Sequence, residues 1–184
     1  MRFRRLLAGA MTGAIGWAGA TGPVHAAPDR GVPGSAREAR ASRPAAADPS
    51  RVELIIPKLH VDDPVGEGVS ESDLWHGVGH YPGTADPGQV GNAVFLGHRT
   101  SGAAPFSELE RMRAGDAVIL VVGRTRYTYR VTGTRITEPN DLSVLAPVPM
   151  EPGRRATGAW ATLVTCHPRG SDRQRFVVFA RLTH

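Results

Sequence analysis

The sequence contains one cysteine, Cys166, in the stretch "ATLVTCHP", and seven histidines. A thiol is a strong nucleophile only as thiolate. With an ordinary pKa of about 8.5 it needs a neighbour that takes its proton, usually histidine. His25 and His184 fall in the N-terminal leader and at the C-terminus. His60, in "KLHVDD", reads as a turn residue. His76 and His80 are four apart in "WHGVGH", a spacing that suits a metal on a helix, but Gly77 and Gly79 undermine such a helix. No glutamate occupies the position a zinc protease motif needs, so no metal site is expected. His167 adjoins Cys166 and on a continuing strand would point to the opposite face. His98 remains. It ends the apolar run "NAVFLGH", at a strand mouth where distant parts of a chain can meet. Arg175 opens the run "RFVVFARL" nine residues after the cysteine and lies beside it if the two strands pair as a hairpin. Its guanidinium could donate to a carbonyl oxygen or to the oxyanion formed when that carbonyl is attacked. Each residue also has a bland reading: a small buried hydrophobe for Cys166, a structural ring for His98, a surface charge for Arg175. Arg173 would share a strand face with Arg175 and reads as a solvated loop charge.

The elements that would position these groups are short. "VELIIP", "NAVFLG", "DAVILVV", "RYTYRVTGTRI", "ATLVTC" and "RFVVFARL" are 6 to 11 residues long, rich in β-branched and aromatic residues and bounded by Gly or Pro. Such runs predict strands. Two helical pieces are expected: "SESDLWHG", capped by Ser70 with Asp73 three residues on, and "APFSELERMRAGD", ending at Gly115. Many strands with few short helices imply a mainly β fold, closed or nearly closed into a barrel. Helices do not alternate with strands, which disfavours a doubly wound parallel sheet. The expected core comprises Leu54, Ile56, Val94, Leu96, Val118, Leu120, Leu163, Val177 and Phe179.

The chain has 184 residues and a formal net charge of +5. Residues 1–50 carry seven of its 22 basic side chains and three of its 17 acidic ones, so residues 51–184 are close to neutral. The excess positive charge lies in a tail without interleaved aromatics, and no nucleic-acid role is expected. The start "MRFRRLLAGAMTGAIGWAGATGPVHAAP" has a basic beginning, an uncharged stretch of 23 residues from Leu6 to Pro28, and a small-residue ending at Val24-His25-Ala26. Residues 1–27 therefore read as a signal peptide or as a retained membrane anchor. Either places the remainder outside the cytoplasm. Residues 28–50 hold one large aliphatic side chain, Val32, and no aromatic, too little to offset the entropy of ordering, so they read as a disordered linker. Residues 51–184 form the expected domain. An acid-rich "ESD" and "EPND" read as cap and turn chemistry rather than as calcium ligands.

Taken together, these stretches resemble a known family. "LVTC", a short loop and "RFVVFA" resemble the sortase signature, and "GNAVFLGHR" resembles its histidine segment. From "LIIPKLHVDD" to "RFVVFARL", roughly residues 52–182, the sequence looks like the class E sortases of high-GC Gram-positive bacteria. The resemblance implies an eight-stranded sortase β-barrel and a transpeptidase without cofactor. Cys166 would attack the threonine carbonyl of a C-terminal sorting motif of a secreted protein, forming a thioester. His98 would serve as general acid and then base, and Arg175 would hold substrate and oxyanion. The implied acceptor is an amine of the peptidoglycan stem or its lipid-linked precursor. The class commonly reads Thr-Thr-Tyr-Gly after its histidine, whereas Thr100-Ser101-Gly102-Ala103 stands here. Gly102 occupies the position of a tyrosine associated with Leu-Ala-x-Thr-Gly over Leu-Pro-x-Thr-Gly. A cysteine hydrolase on the same scaffold and a catalytically silent wall module are the competing readings.

Overall fold

The structure is a computed structural model and describes residues 50–183. The leader and linker expected from the sequence lie outside the described residues. Eight strands run in the order β1 (Val52–Ile56), β2 (Val61–Glu67), β3 (Val78–His80), β4 (Gly91–Gly97), β5 (Ala117–Val122), β6 (Thr125–Thr137), β7 (Ala159–His167) and β8 (Gln174–Leu182). They close into a barrel with the spatial order β1-β2-β3-β4-β7-β8-β6-β5. Pairing is antiparallel except for β2 with β3 and β4 with β7. The mainly β barrel expected from the apolar runs is thus the fold.

Strand alternation divides the apolar residues between two faces. Inside the barrel pack Leu54 and Ile56 from β1, Phe95 from β4, Leu120 from β5, Tyr129 from β6, Leu163 from β7 and Val178 from β8. A second cluster forms on the outer face of β4, β7 and β8 from Val94, Val164 and Val177, with Leu96 and Phe179 half-buried against it. Five expected core residues (Leu54, Ile56, Val118, Leu120 and Leu163) belong to the first cluster, and the other four, Val94, Leu96, Val177 and Phe179, to the second. The connection from β6 to β7 covers this outer cluster with Val144, Leu145 and Met150. Asn92, buried at 2% exposure, fastens it. Its amide donates to the carbonyls of Val144 (2.8 Å) and Ala146 (3.1 Å), and its oxygen accepts from Thr162 Oγ1 (2.7 Å).

The first helical expectation is met by α1 (Glu71–Trp75). Ser70 accepts from the Asp73 N–H, and Asp73 accepts from the Ser70 N–H, closing a capping box. That hydrogen bonding holds the Asp73 carboxyl below its ordinary value. The second expectation is corrected. "APFSELERMRAGD" contains only turns and a 3-10 helix at Leu109–Arg111. Phe106, Leu109 and Met112 are all fully buried, and their spacing of three fits three residues per turn rather than 3.6. Ala104 enters the segment at φ +48, and Met112 leaves it extended.

Candidate active site

The C-terminal ends of the parallel strands β4 and β7 reach the same rim of the barrel. Their ladder registers Val94 with Thr162 and Leu96 with Val164. One more pleat along the same outer face brings His98 level with Cys166. In the antiparallel β7–β8 ladder Cys166 faces Arg175 directly. His98, Cys166 and Arg175 therefore form one row across three neighbouring chain segments, on the outside of the barrel and directly beyond the outer apolar cluster. All three residues line one groove of about 340 Å³, with Leu96, Gly97, Val164 and Thr165 as floor and Val69, Glu71 and Leu74 as the wall that α1 and the turn before it supply.

Cys166 is half-buried and free. The sequence places it at the end of its strand; in the structure β7 continues one residue further, to His167. The His98 ring is half-buried, and its Nε2 is shielded from solvent with no hydrogen-bond partner among the described residues. Beneath it the His98 carbonyl accepts from the Phe106 N–H at 3.2 Å. Gly97 is required there, because a Cβ would lie 2.8 Å from the Phe106 ring and 2.9 Å from Pro105. Arg175 Nη1 donates to the carbonyls of Asp172 (2.8 Å) and Gln174 (3.0 Å). These bonds anchor the guanidinium at the groove edge while its other donors have no partner among the described residues. Arg173 is exposed and does not line the groove.

Among the described residues the other four histidines have different surroundings. His60 ends a 3-10 turn at φ 55, in keeping with its reading as a turn residue. His76 is exposed, and His80 is buried with Nδ1 2.8 Å from Glu67 Oε2 and Nε2 3.1 Å from the Ala85 carbonyl. His167 points away from the groove, and its Nδ1 accepts from Arg99 Nη1 at 3.0 Å.

Three residues beside the row were not singled out by sequence reasoning. Thr165, 3% exposed, donates through Oγ1 to the Gly97 carbonyl at 2.8 Å. Arg99, 5% exposed, donates to the Cys166 carbonyl at 3.3 Å and pairs with Glu110 at 2.7 Å. Burial pushes the Glu110 carboxyl up, but its backbone N–H and the Arg99 guanidinium outweigh that, and its pKa lies below the ordinary value. The signal was present in strand parity: residue 99 follows His98 and so must turn to the opposite face.

Comparison with known proteins bears on this arrangement. The sortase domain family model matches residues 54–183. Sortase SrtE1 of Streptomyces coelicolor is 32% identical over 137 residues, covering 70% of this chain and 39% of the relative. Sortase D of Bacillus subtilis is 29% identical over 131 residues, covering 70% of this chain and 61% of the relative. The chain thus spans less than two thirds of the length of these curated relatives. Among solved structures, sortase E from Streptomyces avermitilis superposes with a TM-score of 0.65 at 36% identity, covering 74% of this chain and 90% of that one. Sortase E1 from Streptomyces coelicolor, solved with a tripeptide in its active site, gives 0.68 at 30% identity, covering 73% and 88%. The family match takes in nearly the whole barrel, including the strands that carry the row of histidine, cysteine and arginine, and the chain belongs to the sortase family.

Proposed function

We propose that the protein is a cysteine transpeptidase that cleaves a C-terminal sorting motif between threonine and glycine and joins the threonine carbonyl to an amine. The observation that carries this reading is the single outward row of His98, Cys166 and Arg175. A peptide laid in the groove meets nucleophile, proton carrier and anion stabiliser side by side. The Cys166 thiolate adds to the threonine carbonyl, and Arg175 offers hydrogen bonds to the oxygen that becomes negative. The tetrahedral species collapses as the C–N bond breaks, and His98 gives its proton to the departing amine. The acyl group is then a thioester on Cys166. An incoming amine attacks, His98 takes its proton, and the thiolate leaves. Dividing one difficult acyl transfer in this way lowers each barrier. No cofactor enters the scheme.

The acceptor in this proposal is an amine of the peptidoglycan stem or of its lipid-linked precursor, and the donors are secreted proteins with a C-terminal sorting signal. Residues 1–27 serve as signal peptide or membrane anchor and residues 28–50 as tether. The site then works outside the cytoplasm, within the cell envelope. Support comes from the basic start and uncharged stretch of the leader.

The test is mass spectrometry of the protein incubated with peptides carrying Leu-Ala-x-Thr-Gly or Leu-Pro-x-Thr-Gly, with and without glycine or a diamino acid. Cleavage after threonine with an amine-joined product is expected. Free acid alone, undiminished by amine, would make the protein a hydrolase. Absence of cleavage in both peptides would remove this substrate class.

A further inference from the structure

The β4–β7 ladder ends at Leu96 and Val164, one pleat short of the residues that do the chemistry. Backbone pairing therefore does not hold His98 and Cys166 together. Two side chains take over. Thr165 Oγ1 donates to the Gly97 carbonyl, and Arg99 reaches across to the last two residues of β7. One Arg99 nitrogen, Nη1, serves both the Cys166 carbonyl at 3.3 Å and His167 Nδ1 at 3.0 Å, while Nη2 meets Glu110 at 2.7 Å. Because a guanidinium only donates, His167 Nδ1 is an acceptor, and its ring is locked by this contact.

A cation buried to 5% exposure is an expensive way to fill space, since removing it from water costs free energy that pairing offsets incompletely. An apolar side chain would serve packing alone. Nε of Arg99 lacks a partner among the described residues, so the arrangement is not optimised for satisfying the guanidinium. It is optimised for reach: the fork spans from a half-buried carboxylate beneath the rim to the backbone of the nucleophile itself. Arg169, in the β7–β8 connection, adds a second tie by donating to the Ser107 carbonyl at 2.7 Å, and its charge also acts on Glu110.

We infer that Arg99 is a positioning residue for the nucleophile, holding the Cys166 carbonyl and the His167 ring so that the thiol faces His98, with Glu110 orienting its fork. This inference rests on the reading of Cys166 as nucleophile. Lysine retains the charge at position 99 but cannot present a planar fork to two acceptors and a carboxylate together.

The experiment uses the full chain and compares Arg99→Lys, Glu110→Gln and His167→Leu with the unaltered protein. Thermal unfolding, kcat and KM for the sorting peptide, and the alkylation rate of Cys166 by iodoacetamide are measured below the unfolding transition. Misplacing a reacting atom by about 1 Å can cost about 100-fold in rate. Arg99→Lys is therefore expected to lower kcat by roughly 10- to 100-fold with KM nearly constant, and to change the alkylation rate. Glu110→Gln weakens the hold on the fork but keeps the guanidinium that makes both contacts to β7, and it lowers kcat less. Wild-type kcat and alkylation in Arg99→Lys would overturn the inference, as would equal kcat losses in Arg99→Lys and Glu110→Gln at equal loss of stability. Should Arg99→Lys fail to fold, His167→Leu decides, and an unchanged kcat and alkylation rate there overturn it. Alkylation does not depend on the substrate. An alkylation difference in a protein that cleaves no peptide would refute the transpeptidase reading and keep the positioning role.

Discussion

Gly102 is where the loop after His98 touches the α1 wall of the groove, and replacing it with alanine separates two costs. Its φ is +56, and an L side chain in the left-handed region costs roughly 1–2 kcal/mol. A Cβ there would also lie 2.3 Å from the Trp75 carbonyl oxygen and 3.0 Å from the Trp75 carbonyl carbon and Cα, all backbone atoms that cannot swing aside. Relief requires the loop to lift, which breaks the bond from the Ala103 N–H to the Trp75 carbonyl, 3.1 Å in length and worth about 0.5–1.5 kcal/mol. The sum is about 1.5–3.5 kcal/mol. Gly153 provides the control: its φ is +82, and a Cβ would meet nothing within 4 Å. Urea unfolding at pH 7 of Gly102→Ala and Gly153→Ala is expected to show Gly102→Ala the less stable by about 1 kcal/mol. Equal destabilisation of the two variants would refute the steric argument. A tyrosine at position 102, as the class E pattern has it, would require a different approach of this loop to α1.

Cys166→Ala removes a half-buried thiol that forms no disulfide, so the variant is expected to unfold within about 1 kcal/mol of the unaltered protein while losing all turnover; peptide cleavage followed by mass spectrometry checks this. Asn92→Ala leaves the carbonyls of Val144 and Ala146 and the Thr162 hydroxyl without their buried partner, a cost of about 1–3 kcal/mol measurable by urea unfolding. Hydrogen exchange should rise first in the β6–β7 connection. Asp116 is held below its ordinary carboxylate range, chiefly by its hydrogen bond from Lys58 at 2.7 Å. A depressed folded pKa contributes stability above the unfolded value of about 3.8 that is lost as pH falls through the folded one. The thermal stability of Asp116→Asn should therefore trail that of the unaltered protein at neutral pH and converge with it below about pH 3.8; a gap unchanged by acid would refute the linkage.

Six strands were legible because each is a short run rich in β-branched and aromatic residues. β2, "VDDPVGE", was not, because its inward residues are separated by acids and interrupted by Pro64. That proline is tolerated because it precedes the start of the β2–β3 ladder at Val65, so it has a partner strand only on the β1 side. β3 is three residues with a glycine at its centre, too short to show any period. Gly79 is needed there, because a Cβ would sit 2.1 Å from the Gly68 carbonyl oxygen. The helix read into residues 104–116 from its helix-friendly stretch ending at Gly115 failed because the buried residues Phe106, Leu109 and Met112 recur every third position, which suits turns and a 3-10 helix. At the site, residue type and strand end pointed to His98, Cys166 and Arg175, and the structure places them in one row. Arg99 and Glu110 escaped because their contacts join segments that sequence order gives no reason to connect.

The alternation that separates the two clusters also makes β7 a strand with two independent texts. Even positions from Trp160 to Cys166 face outward, and Ala159, Ala161 and Leu163 face inward and pack in the barrel. Val164 belongs to the outer cluster and also lines the groove, so a substitution there alters both while leaving the side chains that fill the barrel in place. The same geometry sets a sharp limit on insertions. One residue added to β7 before Thr165 would exchange the texts from that point onward, turn the thiol into the apolar interior and present a threonine to the groove.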